Sequence, residues 1–189
     1  MTIKLENTLR NTVAQILLAS ILPIGSAHSM ATDAAKDAAA NFYRNYQLMR
    51  SKDGLTGIPN PSQLSQLAPL ITPQLHDLLN AALNEQARCT KLFPENVPPW
   101  IEGDIFSSSF EGFTAFLTTP SRVQAGQRTV AIKFTYADAK DKVKWTDTLM
   151  LKKKAGRWLV DDIAYRANFA FSSGFGAHLQ TSLKAIPAC

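Results

Sequence analysis

The 189-residue chain lacks the short motifs that identify most enzyme classes. It contains no G-x-S-x-G nucleophile elbow, no P-loop, no complete G-x-G-x-x-G and no H-E-x-x-H. Only two histidines, His76 and His178, follow the N-terminal segment. They are too few for a three-histidine catalytic zinc site, and no other residues have the spacing of metal ligands. We therefore predict neither a metal nor a cofactor.

Cysteine is limited to two residues, Cys89 and the C-terminal Cys189, and neither belongs to a C-x-x-C redox motif. In an oxidising compartment such a pair most often forms one disulfide. The bond would close a loop of about 100 residues and stabilise the fold by roughly 4–5 kcal/mol in the chain-entropy treatment. We predict this disulfide, with two free thiols as the alternative.

Long hydrophobic runs are also missing. The main apolar stretch, residues 13–24, is too short to span a bilayer and contains a proline, so we do not expect an integral membrane protein. Two basic residues precede it and small residues follow in "GSAHSMA", as is typical of a secretory signal peptide. We predict that residues 1–31 are a signal peptide, cleaved near residue 29 or 31, and that the mature protein is periplasmic. An uncleaved N-terminal anchor is the alternative.

Positive charge exceeds negative charge only slightly. Residues 1–31 hold two basic residues and one acidic residue, so the net charge falls from +5 to +4 without them. This is well below the charge of a typical nucleic-acid-binding domain, so we expect no nucleic-acid partner. The second half holds a basic cluster: Lys133, Lys140, Lys142, Lys144, Lys152, Lys153, Lys154 and Arg157. It could attract an anionic polysaccharide or an acidic protein, but the preferred interpretation is that it keeps strand edges from aggregating.

The hydrophobic pattern changes from a helical to a strand-like period along the chain. The capping residues Asp33, Asn60 and Thr72, with the spacing of the apolar residues, predict helices over residues 33–50, 61–68 and 73–91. Strands are predicted over residues 110–120, 129–136, 143–153 and 156–165, and a short helix over residues 173–186. Helices followed by a run of antiparallel strands are typical of an α+β protein. We predict one domain over residues 32–189, with N-terminal helices packed on a curved antiparallel sheet (a cone-like roll) and a short C-terminal helix.

One strand places a carboxylate among apolar side chains. In "VKWTDTLML", Asp147 shares a face with Trp145 and Leu149. A carboxylate there is costly unless it is paired. Asp147 is therefore either a pocket acid beside Trp145 or a structural acid bonded to a lysine or a backbone amide, and the structural interpretation is favoured.

"GRWLVDDIAY" contains two adjacent acids, Asp161 and Asp162. A β-bulge at this pair would return four side chains to one face of the strand: Trp158, Val160, Ile163 and Tyr165. With or without the bulge, the two carboxyls do not aim at a common point, so we do not expect a catalytic pair. Asp162, with Trp158 and Tyr165, is kept as a candidate pocket residue.

The stretch "PPWIEGDIFSSSFEG", residues 98–112, combines acids, three serines and stiffening prolines and glycines. It is either a ligand-recognition loop or, as favoured, a structural connection between the helices and the sheet. Its candidate ligand residues are Glu102 and Asp104.

The order of "ANFYRNY", "EGDIFSSSFEG", "WTDTLML" and "GRWLVDDIAY" resembles a family of small exported bacterial proteins of unknown function, some of them periplasmic lipoproteins. The strand ending in "WLVDDI" is similar to the one that closes the sheet of nuclear transport factor two-like (cystatin-like) folds. The resemblance implies a cone-shaped fold and a periplasmic compartment. It implies no reaction, and the lipid-anchor cysteine of those lipoproteins is missing here.

We therefore expect a non-enzymatic binding module for a small ligand in the cone or for an envelope protein partner. One alternative is an inhibitor or immunity protein that acts against an envelope-directed enzyme. The other is a hydrolase or isomerase that uses Asp147 or Asp162.

Overall fold

The structure, a computed structural model, describes residues 33–96, 103–124, 127–167 and 177–185. These residues all belong to one unit, Thr32–Cys189. The predicted signal peptide, Glu102 and Cys189 lie outside the described residues.

Among the residues that the structure describes, three helices come first, and each begins where the sequence places a capping side chain. They are α1 (Ala34–Asp53), α2 (Pro61–Leu67) and α3 (Pro73–Leu92). The side chains of Asp33, Asn60 and Thr72 accept hydrogen bonds from backbone N–H groups in the first turns of these helices. A proline opens both α2 and α3, because the first helical position needs no N–H donor. The three predicted helices are confirmed, with ends shifted by a few residues.

Within the described ranges, a curved, unclosed antiparallel sheet of five strands follows the helices. Its strands are β1 (Ala115–Thr118), β2 (Arg122–Gln124), β3 (Gln127–Ala137), β4 (Lys142–Lys154) and β5 (Arg157–Ala164). The order of the strands in the sheet is β1-β3-β4-β5. Strands β1 and β2 lie along the same edge of β3: β1 pairs with its C-terminal half and β2 with its N-terminal end. The short helix α4 (Leu179–Lys184) comes last. The predicted α+β class is confirmed, although β2 was not predicted and β1 begins later than expected.

Helix α1 packs its apolar face on the inner face of the sheet, and aromatic rings fill the space between them. Phe134 of β3 lies at the centre, with ring centroids 5.1 Å from Tyr43, 4.6 Å from Phe113 and 5.2 Å from Trp145. Phe42 and Phe106 extend the cluster, and all these side chains are buried. Aromatic side chains bury more apolar area than any other type, so this cluster is a main source of stability. The inside of the cone is thus a packed core.

The two edges of the sheet differ. At β5, Val160 accepts a hydrogen bond from Thr72 N at 2.8 Å and donates one to Leu70 O at 3.0 Å, and His178 bridges Ala164. The opposite edge is formed by β1 and β2, which have only four and three residues. Short strands expose few unpaired backbone groups, which limits pairing with other chains. No helix among the described residues is long and apolar enough to cross a membrane.

Candidate functional site

The connection that leads into β1 runs through the interior of the protein. Residues 103–112, here called the serine loop, include five consecutive residues from Asp104 to Ser108 that are almost completely buried. A buried loop needs partners for its backbone and side-chain polar groups, because water cannot reach them. Two carboxylates and three tyrosine hydroxyls supply those partners. The geometry is that of the structural connection favoured from the sequence.

Asp147 on β4 holds the middle of the serine loop. Its carboxylate is 0 % exposed and accepts hydrogen bonds from four donors. They are the backbone N–H of Ser108 at 2.8 Å, the Ser108 hydroxyl, the Trp145 indole N–H at 3.1 Å and the backbone N–H of Arg166 at 2.9 Å. A carboxylate surrounded by donors is stable without a counter-ion. Asp147, oriented by the Trp145 indole, therefore holds the serine loop in place (its bracket role). Asp147 does not face solvent.

Asp104 organises the beginning of the loop. It accepts hydrogen bonds from the Tyr46 hydroxyl at 2.6 Å, the Phe106 N–H at 2.8 Å and the Ser107 hydroxyl at 3.0 Å. Arg50 approaches its other side at 3.5 Å. Burial raises the pKa of the Asp104 carboxyl above its usual value, although these hydrogen bonds and the Arg50 charge act in the opposite direction. As a site residue Asp104 is turned inward, away from any ligand.

Two further tyrosines bind backbone carbonyls of the loop. The Tyr43 hydroxyl donates to Phe106 O at 3.0 Å, and the Tyr165 hydroxyl donates to Ile105 O. Burial, together with the nearby carboxylates, raises the pKa of both phenols well above its usual value. Tyr165 is thus a structural donor at the end of β5.

A β-bulge separates Asp161 from Asp162. Met150 pairs with Asp162 and the next residue of β4 pairs with Val160, so Asp161 has no partner in the ladder. Asp161 is buried. Its carboxylate accepts a hydrogen bond from the Thr72 hydroxyl at 2.9 Å and forms an ion pair with Lys152 at 2.9 Å. The bulge inferred from the sequence is therefore present.

Asp162 faces a different set of groups. Its Oδ2 lies 2.9 Å from His178 Nδ1, and its Oδ1 accepts the N–H of Gln180 at 3.0 Å. The Gln180 side chain also donates to the backbone carbonyl of Asp161 at 2.7 Å. The two carboxylates have different hydrogen-bond donors and do not form a dyad. His178 was not a candidate from the sequence, because nothing local connects the N-cap of α4 to β5. Trp158, half-buried on β5, has the Lys153 ammonium 5.9 Å from its ring centre and lines none of the grooves described below.

The basic cluster is not one surface with one role. Lys152 pairs with Asp161, and Lys133 lies on β3 between Leu117 of β1 and Thr146 of β4. Protection of an edge therefore does not account for Lys133. Edge protection does fit Lys144, because β5 does not pair with the first part of β4, where Lys144 lies.

The concave surface of the described residues lies outside the cone. A groove of about 610 Å³, here called the α1 groove, is lined by five residues of α1 and by the residue that follows the serine loop: Arg44, Gln47, Leu48, Arg50, Ser51 and Phe113. A second groove of about 400 Å³ shares Arg50 and includes Phe110 and Glu111. Four of the α1 residues have the i, i+3, i+4, i+7 spacing of one helix face. Sequence reasoning missed this face because it has the composition of an ordinary solvated one.

No group of three or more histidine, cysteine, aspartate or glutamate residues within the described ranges could hold a metal ion. No protein-family model matches the chain, and no curated protein matches it significantly.

Proposed function

We propose that this chain is an exported periplasmic protein, similar to the small exported family it resembles, that acts as a non-enzymatic binding module for a protein partner of the cell envelope. The observation that carries the proposal is the filled cone. Phe42, Tyr43, Phe113 and Phe134 occupy the space in which a cone-shaped fold would hold a small ligand. Binding is therefore assigned to the outer surface, where the α1 groove combines two arginines with the exposed side chain of Leu48.

A hydrolase or isomerase that uses Asp147 or Asp162 has less support. General acid–base catalysis needs a carboxyl within hydrogen-bonding reach of the substrate. Asp147 is completely buried and already bonded to four donors, and Asp162 is engaged by His178 and Gln180.

An inhibitor or immunity protein is a second candidate. Such a protein would use a charged contact patch on its surface, and the unpaired ammonium of Lys133 on the sheet face favours it among the described residues. In both cases the function is binding of a protein.

Export and partner binding are tested separately. Export predicts that the mature protein appears in the periplasmic fraction with the mass expected for cleavage after residue 29 or 31. Retention of the full-length chain in the cytoplasm would overturn it.

Partner binding is tested with a photo-crosslinking amino acid placed at Leu48, at Lys133 and, as a control, at the exposed Thr181 of α4. We expect a discrete adduct with an envelope protein from Leu48 or Lys133 and none from Thr181. An adduct from Lys133 alone would favour the inhibitor candidate. The absence of adducts from both positions would overturn the proposal.

A further inference from the structure

The charged side chains among the described residues that line the α1 groove are all positive, and one of them, Arg50, also pairs with Asp104. Two of its lining residues are arginines, and no carboxylate is among the described residues that line it. Arg44 is exposed, whereas Arg50 is half-buried, with a side chain 27 % exposed. The groove is therefore suited to an anionic group.

Arg50 is held in place before any ligand binds. One end of its guanidinium donates to Glu111 O at 2.8 Å, the other end approaches Asp104 at 3.5 Å, and the plane lies 5.9 Å from the Tyr46 ring centre. Gly112 leaves room for it, because a Cβ at that position would lie 1.9 Å from Arg50 Nη1. A guanidinium has five N–H donors, so donors remain for a carboxylate. A side chain that is already ordered loses little conformational entropy on binding.

Apolar groups lie next to the two arginines. Leu48 is 53 % exposed although it is a large aliphatic residue, and Phe113 forms part of the groove wall. On the adjoining groove, Phe110 is also exposed. Arginine and aromatic residues dominate binding energy in protein interfaces, particularly where an apolar anchor fits beside them.

We infer that the α1 groove binds an acidic and apolar segment of the protein partner. A carboxylate of the segment contacts Arg44 and the remaining donors of Arg50, and a neighbouring apolar side chain packs on Leu48 and Phe113. This inference rests on the proposed function and adds the chemistry of the partner to it.

The first test uses three capped peptides that differ in one property at a time. They are acetyl-Asp-Phe-Asp-Leu-amide, its neutral counterpart with Asn for Asp, and its polar counterpart with Ser for Phe and Leu. Binding to the mature protein is followed by amide chemical shifts. We expect the first peptide to bind in the millimolar range, to bind more weakly at high salt, and to shift resonances of α1. Each counterpart should bind several-fold more weakly. Equal binding of the acidic and neutral peptides would overturn the inference.

The second test uses charge-matched and size-matched variants. Arg44→Gln should weaken binding of the acidic peptide by about threefold to fivefold, as expected for loss of an exposed ion pair. Arg122→Gln removes the same charge from exposed β2 and should change affinity less than twofold. In the same way, Leu48→Ser should weaken binding, whereas Leu117→Ser, on the 64 % exposed leucine of β1, should not. Equal effects of groove and control variants would overturn the inference. Arg50 is left intact because it also supports the serine loop.

The inference and the proposed function fail in different ways. If crosslinking captures an envelope protein and Arg44→Gln leaves the yield of that adduct unchanged, the partner exists and the groove is not its site. If no adduct forms, the proposed function itself fails.

Discussion

The backbone N–H of Ser108 donates to Asp147 Oδ2 at 2.8 Å, across 39 residues of sequence. This bond joins the serine loop to the central part of β4. Because the Ser108 hydroxyl, Trp145 and Arg166 donate to the same carboxylate, Asp147 fixes the position of a loop that has no secondary structure of its own. A residue that resembles a catalytic acid in the sequence is thus a structural one in the fold.

Asp147→Asn should destabilise the protein strongly. Asparagine has one acceptor oxygen, and its amide group would face at least one of the buried donors. Each unsatisfied buried donor costs about 1–3 kcal/mol, so we expect the free energy of unfolding to fall by roughly 2–4 kcal/mol. Urea unfolding measures the loss. Asp77→Asn, at a side chain that is 83 % exposed, is the control and should change stability by less than about 0.5 kcal/mol. Equal losses in the two variants would contradict the bracket role of Asp147.

High pH should unfold the protein through its buried tyrosines. Burial, with the nearby carboxylates, raises the pKa of Tyr43, Tyr46 and Tyr165 well above the ordinary value in the folded state. Their contribution to stability is complete below the pKa of the unfolded chain, near 10, and is lost as pH rises above it. Above that pH, each such tyrosine lowers the free energy of unfolding by up to about 1.4 kcal/mol per pH unit.

The measurement is an alkaline titration that follows tyrosinate absorbance and circular dichroism together. Three of the four tyrosines should ionise only as the secondary structure is lost. Tyr136 is half-buried and its hydroxyl donates to Asp138 at the surface, which raises its pKa less than burial raises the other three, so it should ionise earlier. Tyr136→Phe should remove the early step and leave the cooperative one. Ionisation of all four before any change in circular dichroism would rule out the buried hydroxyl network.

Gly112→Ala should lower the stability of the protein more than the same change at Gly156. Both glycines have a positive φ, 77° and 80°, so alanine is strained at each by about 1–2 kcal/mol. At Gly156 no atom lies within 4 Å of the added Cβ, whereas at Gly112 the Cβ would collide with the Arg50 guanidinium. We expect Gly112→Ala to lose about 2 kcal/mol more than Gly156→Ala in thermal or urea unfolding. A difference near zero would show that Arg50 moves aside at no cost.

The disulfide between Cys89 and Cys189 remains a prediction from the sequence. Cys89 is buried in the last turns of α3, and Cys189 lies outside the described residues. Intact-mass analysis of the exported protein should show no label when alkylation precedes reduction, and two labels when it follows. Labelling of both cysteines without reduction would disprove the bond.

The sequence predicted local features well and long-range partners poorly. Asp33, Asn60 and Thr72 identified the helix starts because capping depends on the next few residues only. The alternation of side chains between the two faces of the strand indicated the bulge in "GRWLVDDIAY", since this alternation is also a local property. Other partners, such as Tyr46 of Asp104, Ser108 of Asp147 and His178 of Asp162, come from segments far away in the chain, and no sequence pattern names them.

By itself, then, the sequence determined the helices, the positions of most strands along the chain and the apolar faces, because hydrophobic period and capping chemistry act over a few residues. Only the tertiary structure decided that the cone is filled by aromatic rings, that Asp104 and Asp147 face inward to a buried loop, and that Asp161 and Asp162 serve separate contacts. It also decided that Arg44 and Arg50 border an open groove. The reason is physical: whether a carboxylate or a guanidinium is structural or available depends on which donors, acceptors and water surround it, and those neighbours are assembled only when the helices pack on the sheet.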